Sequence, residues 1–193
     1  NYNRAERICK GDWVKILEGD DILLPDCISS YVTYVSDKDY IDFLFSDMDT
    51  FGLSPQAENY KKYFLCDRYF KSFFNCSARE QYKKLITFEC NLPSPTWFFR
   101  RSAAIANGIT NDESIPLFAD WPKYINITKK GIKIYLMDKV TVNYRLHIHS
   151  ISNSDNPNKR PFITSKSKMW LKYQFGYNLR HHPRLAVIKY IKI

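Results

Sequence analysis

The alternation of hydrophobic and polar positions along the chain changes several times, and each change predicts an element. The opening NYNRAERICKGDW reads as a helix that feeds a strand. Trp13 to Leu17 (WVKIL) is then a short apolar run with a single polar break, the pattern of a buried strand. It empties into Glu18-Gly19-Asp20-Asp21, after which Pro25 and Asp26 open a helix over CISSYVTYV. Residues 40–51 (YIDFLFSDMDTF) predict another strand, and Ser77-Ala78-Arg79-Glu80 is a capping box that starts a helix reaching about Glu89. The segment NLPSPTWFFRR, with two prolines, predicts an extended loop leading to a strand edge. Asp120 stands at a helix start, with Pro122 in the first turn and Gly131 just past the end. Two alternating stretches, IKIYLMD and VTVNYRL, predict a pair of strands. A polar linker, SNSDNPNKRP, precedes two short amphipathic helices within 163–193, separated by Pro183.

Strands alternating with helices predict an α/β fold with a mostly parallel sheet flanked by helices. A helix at the first residue, feeding a central strand, predicts earlier βα units on the N-terminal side. At 193 residues the chain suffices for one ordinary domain with a core. Glycine occurs only six times, and neither GxGxxG nor GxxxxGK[ST] is present, so phosphate-cradling glycine loops are excluded. The cysteines (Cys9, Cys27, Cys66, Cys76, Cys90) form an odd set without a CxxC pair, which argues for a reducing compartment and against a zinc cluster. No run of about 18 apolar residues predicts a membrane span, and a cytoplasmic location is expected.

Charge divides the chain. Residues 1–150 hold 20 Lys/Arg against 19 Asp/Glu, whereas 151–193 hold nine against one. The boundary drawn is therefore a body over 1–152 and a basic, aromatic-rich helical tail over 153–193. With a neutral body and no RNA-binding or helix-turn-helix motif, no nucleic-acid partner is expected. Met169, Trp170, Leu171, Tyr173, Phe175 and Tyr177 interleave with the basic residues, which suits either peripheral contact with an anionic membrane face through 163–193 or packing of the aromatics on the body.

Three clusters can carry chemistry. Glu18, Asp20 and Asp21 follow an apolar strand, where ligands of α/β sheets bind. Adjacent carboxylates repel, and a hard divalent ion bridging them to a diphosphate relieves this; the alternative is a polar turn whose Asp21 caps the next helix. Asp120, in FADW, sits where a helix dipole favours the ionised form, and serves either as general base or as a cap only. Trp121 beside it is a sugar platform or, by default, core. Finally, YRLHIHSIS puts Arg145, His147 and His149 on one strand face, with Ser150 next.

GDWVKILEGDDILLPD is similar to the family 2 glycosyltransferase segment G-x-[YW]-[IV]-x-[FL]-L-D-x-D-D-x-x-x-P. PSPTWFFRRSAA resembles that family's acceptor-side loop and strand, and FADWPKYINITKKGIKIYLMDKVTVNYRLHIHSIS its E-D-W helix and Y-R-x-H-x-x-S-[IV]-S ending. The resemblance covers residues 3–152 and implies a partial GT-A fold of a bacterial inverting enzyme. It implies Asp20 as the metal-binding acid of the DxD motif, with His147 as a further ligand of Mg²⁺ or Mn²⁺. Glu18, Asp21, Arg145 and Ser150 would bind the nucleotide-diphosphate sugar donor. Asp120 would be the catalytic base, and Trp121 and Thr96 would contact a saccharide or lipid-linked acceptor such as a surface-polysaccharide, lipopolysaccharide or capsule precursor. Glu18 replaces the usual first Asp, and Ala119 replaces the usual Glu before the base. The family's opening strand (ending P-x-[YF]-N) and its base-binding Asp have no counterpart, so the chain is expected to be an N-terminally truncated, inactive fragment, or else a non-catalytic binding module.

Overall fold

The computed structural model describes residues 2–52, 68–88, 92–115, 117, 120–147 and 160–191. Helix α1 (Tyr2–Ile8) precedes strand β1 (Trp13–Lys15) and the short strand β2 (Ile22–Leu23). Helix α2 (Cys27–Val35) buries Cys27, Tyr31 and Val35, one position per turn, as an amphipathic helix does. Strand β3 (Phe43–Phe51) leads on to α3 (Arg68–Asn75) and α4 (Ala78–Thr87). The capping box forms: the Ser77 hydroxyl accepts from the Glu80 amide, and the Glu80 carboxylate accepts from the Ser77 amide at 2.8 Å. A 3₁₀ turn (Ser94–Thr96), strand β4 (Phe98–Arg100) and α5 (Arg101–Ala106) come next. Helix α6 (Asp120–Lys129) stops before Gly131, whose φ of 79° only glycine adopts without strain. Strand β5 (Ile134–Arg145) closes the body; α7 (Arg160–Met169), a π-helical stretch (Trp170–Phe175), α8 (Gly176–His181) and α9 (Pro183–Ile191) form the tail.

The sheet is mixed, in the order β1-β4-β3-β5-β2, and this corrects the expectation of a mostly parallel one. β3 and β5 pair in parallel; β1 with β4, β4 with β3, and β5 with β2 pair antiparallel. Hydrophobic alternation reports which face a residue takes, and it is blind to strand direction. β4, which leads from a proline loop, is an interior strand between β1 and β3. IKIYLMD and VTVNYRL are one strand, not two. Met137 pairs with Ser46 and Val140 with Asp47, so the exposed Asp138 and Lys139 bulge out of the ladder instead of making a turn. Because β4 opposes both β1 and β3, strands β1, β3 and β5 run in one direction and end at the same edge of the sheet.

Alternation along β3 divides the core. Phe43 and Phe45 face a large cluster with Phe73, Leu85, Trp97, Phe99 and Ile127, on the side of α4 and α6. Leu44 faces a smaller cluster with Cys27, Tyr31, Val35, Phe98 and Met137 under α2. The rings of Phe45 and Trp97 lie 4.7 Å apart and those of Phe45 and Tyr124 5.3 Å, so aromatics carry much of the burial, each worth about 1.5–3 kcal/mol.

The tail braces the body. Met169 belongs to the large cluster, with Tyr173 and Tyr177 packed against it, and Trp170 is buried. The Gln174 amide donates to the Leu85 carbonyl at 2.6 Å and the Asn178 amide to the Ile86 carbonyl at 2.7 Å, which satisfies carbonyls left open at the end of α4. Lys172 and the Tyr173 hydroxyl both bind Asp112, at 2.7 and 2.8 Å. The linker between body and tail, with the boundary at 152, lies outside the described residues. No described helix is long and apolar enough to cross a membrane.

One core residue makes stability depend on pH. Asp47 is 4% exposed, and burial pushes its carboxyl from 3.8 up to about 6, against a hydrogen bond from the Met48 amide. The folded state thus favours the protonated acid. Stability therefore falls as the pH rises from 3.8 through 6, at about 1.4 kcal/mol per pH unit across that window. Asp47→Asn is expected to remove this fall, gaining on the order of 2 kcal/mol over the wild type at pH 7.5 relative to pH 4. Urea midpoints at the two pH values measure it; parallel curves for the two proteins would show that the buried acid carries no such penalty.

Candidate functional site

The shared edge where β1, β3 and β5 end brings two of the three sequence clusters together. Glu18, Asp20 and Asp21 follow β1, and Arg145 and His147 close β5. The Arg145 amide donates to Asp21 Oδ1 at 2.9 Å, and its guanidinium Nε donates to the Asp20 carbonyl at 2.8 Å while lying 4.4 Å from the Phe51 ring centroid. The His147 Nε2 is 3.7 Å from Asp20 Oδ2. Gly52 permits this closure: its φ is 125°, and a Cβ there would sit 2.1 Å from the Leu146 carbonyl oxygen. Asp21 is 8% exposed, and burial pushes its carboxyl up to about 6, opposed by the Arg145 amide and reinforced by Asp20 and Glu18. Its Oδ2 is buried without a hydrogen-bond partner among the described residues.

Asp120 reaches the same neighbourhood through α1. The Tyr2 hydroxyl donates to Glu18 at 2.5 and 2.6 Å, and burial, with Glu18, Asp120 and Asp20 nearby, raises its proton affinity well above the ordinary phenol value. Among the described residues two donors hold Asp120. Its Oδ1 accepts from the Trp121 amide at 2.9 Å and its Oδ2 from the Ser94 hydroxyl, which accepts in turn from Tyr124 at 3.2 Å. The Tyr124 phenol is raised well above its ordinary range, first by burial and then by Asp120. Lys15 joins β1 to this loop by donating to the Pro95 carbonyl at 2.5 Å and to the Ile16 carbonyl; burial lowers its ammonium to about 8.

Sequence reasoning missed Tyr2, Lys15, Ser94 and Tyr124. Tyr124 had a signal, lying four residues after Asp120 on one helix face. Lys15 was visible as the polar break in WVKIL; Tyr2 and Ser94 carried none beyond their place in matching segments. Trp121 and Thr96 are not presented to a ligand. Trp121 is 5% exposed with its Nε1 donating to the Leu85 carbonyl at 3.2 Å, and Thr96 is fully buried with its hydroxyl bonded to Ser46. A Trp beside a helix start and a Thr in a proline turn are drawn inward here by the aromatic core. Ser150, His149 and Ala119 lie outside the described residues.

Among the described residues no three His, Cys, Asp or Glu are grouped to form a metal cage. The donor set is a pair, Asp20 and His147, beside the unpartnered Asp21 Oδ2. The carboxylate oxygens suit a hard cation that completes its shell with substrate phosphates and water, whereas an imidazole nitrogen is a donor more typical of transition metals.

The described elements form a mixed α/β fold, a five-stranded sheet flanked by helices, with the acidic turn at the edge where β1, β3 and β5 end. It is similar to residues 1–349 of TarS from S. aureus in complex with UDP-GlcNAc, at a TM-score of 0.51 and 16% identity, covering 75% of this chain and 38% of that one. A second structure of TarS 1–349 from S. aureus matches at a TM-score of 0.50 and 17% identity, over 74% and 38%. The chain thus spans well under half of the structures it resembles. No family model and no curated protein sequence matches it.

Proposed function

We propose that the chain carries the catalytic edge of an inverting glycosyltransferase that uses a nucleotide-diphosphate sugar and a divalent cation. The observation that carries this reading is the meeting of the acidic turn after β1 with Arg145 and His147 after β5, at one edge of the sheet. The likeness to a protein solved with UDP-GlcNAc supports a donor of that class. Asp20 and His147 would hold Mg²⁺ or Mn²⁺, which when bound neutralises charge on the departing diphosphate. Arg145 would take diphosphate oxygens, and Glu18 and Asp21 would contact the donor. Asp120 would accept the proton of the acceptor hydroxyl as its oxygen bonds to the anomeric carbon and the bond to the diphosphate oxygen breaks, inverting the centre. Among the described residues each Asp120 oxygen accepts one donor, which leaves lone-pair capacity for that hydroxyl. The acceptor class inferred is a saccharide or lipid-linked precursor of the cell surface.

Calorimetric titration with UDP, with and without Mn²⁺, tests the site in a form of the protein that includes the nucleotide-binding strands implied by the family resemblance. Mn²⁺ is expected to tighten binding, and Asp20→Ala to erase the metal-dependent part, at least about tenfold for one charge-assisted contact. Binding that is indifferent to Mn²⁺ and to Asp20→Ala would remove this assignment and leave a non-catalytic binding module as the reading.

A further inference from the structure

The tail helices bury one apolar set and expose another. Met169, Trp170, Gln174 and Asn178 face the body, but Leu171, Leu179, Val187, Ile188, Tyr190 and Ile191 are 43–78% exposed. Leu171 and Leu179 flank Phe175 at four-residue spacing, and the Phe175 ring lies 5.8 Å from Tyr190 of α9, which sets α9 beside that outer stripe. α9 itself buries only Ala186, so most of its apolar surface has no cover within the described molecule. Charge accompanies this face. Residues 160–191 contain seven Lys/Arg and no acid, and Arg160, Lys168, Arg180 and Arg184 are exposed.

We infer that the outer face of α7–α9 docks on an anionic lipid bilayer, with α9 lying in the interface plane. An apolar stripe without acids, flanked by exposed cations, matches a negative headgroup layer over acyl chains. A protein partner of ordinary composition would have to meet the exposed Arg160, Lys168, Arg180 and Arg184 with complementary acids; a bilayer supplies the negative charge as a surface property. The residues that touch lipid are then Leu171, Leu179, Ile188 and Ile191, not the Trp170 and Tyr173 that pack on the body. This inference stands independently of the enzymatic reading, since it needs neither donor nor turnover.

Flotation of the full chain with vesicles tests it. Recovery with phosphatidylglycerol vesicles is expected to exceed that with phosphatidylcholine vesicles and to fall with added salt. Arg180→Gln with Arg184→Gln should lower the partition coefficient about 25-fold, at about fivefold per cation near the surface. Ile188→Glu with Ile191→Glu should abolish recovery. Both pairs are exposed, so circular dichroism is expected to match wild type and to exclude misfolding. Equal recovery on the two lipids, no recovery on either, or variants that float as well as wild type would overturn the inference. So would a concentration-dependent dimer, seen by sedimentation and broken by the Ile188/Ile191 pair, because the face would then cover a second copy.

Discussion

Asp120→Asn, made in a form of the protein that includes the nucleotide-binding strands implied by the family resemblance, is expected to slow sugar transfer by about 10²–10⁴-fold. Donor affinity should change little, because a general base acts on the acceptor hydroxyl in the transition state and contributes little to ground-state binding. The substitution is a clean one on structural grounds. Asn has the shape of Asp, is as good a residue at a helix start, and its amide oxygen still accepts from the Trp121 amide or the Ser94 hydroxyl. What is lost is the capacity to take a proton. Steady-state kinetics together with UDP titration separate the two effects: kcat should collapse while the dissociation constant for UDP stays near wild type. Retention of most turnover would assign the base elsewhere. Ser94→Ala is the companion variant. It removes one donor and leaves the carboxylate, so a smaller fall in kcat with a shifted pH profile is expected if Ser94 and Tyr124 position Asp120.

How much of this was legible beforehand follows from what local sequence encodes. Helix α2 was readable because Pro25-Asp26 and the spacing of Cys27, Tyr31 and Val35 act within two turns. The Ser77–Glu80 box was readable because both its bonds close within three residues. The mixed sheet was not, since strand direction depends on which partner lies alongside, and β4 acquires its place from Phe98 and Phe99 packing into opposite clusters. The bulge at Asp138-Lys139 read as a turn because two exposed polar residues look the same in either; the parallel pairing with β3 on both sides of them decides it. At the site, Glu18, Asp20 and Arg145 stood out by residue type and order. Tyr2, Lys15 and Ser94 did not, because each acts through a contact 16 to 80 residues away in the chain.

Glu6→Ala is expected to destabilise the fold by about 3–5 kcal/mol, far beyond the cost of an ordinary half-buried substitution. Lys123 on α6 has a side chain only 5% exposed, and its ammonium lies 2.5 Å from the Glu6 carboxylate and 5.4 Å from the Phe99 ring centroid. Burial already lowers the ammonium's proton affinity, and Glu6 is what counters that. Removing the carboxylate strands a positive charge in the core. The sign follows: a lysine with a depressed folded-state pKa destabilises while protonated, so the variant should regain stability as pH rises toward 10.5. A second substitution, Lys123→Met, should recover most of the loss, because a buried pair replaced by apolar side chains costs little. Urea midpoints of the single and double variants across pH give both results, and a single variant within about 1 kcal/mol of wild type would show that the charge escapes to solvent. The loss should also reach the acidic turn. α1 buries no residue, so its position rests on Glu6–Lys123 and on Asn3 with Asn111, and it is α1 that presents the Tyr2 hydroxyl to Glu18. Loosening that helix by way of Glu6 should therefore weaken UDP binding even in the fraction of the protein that remains folded.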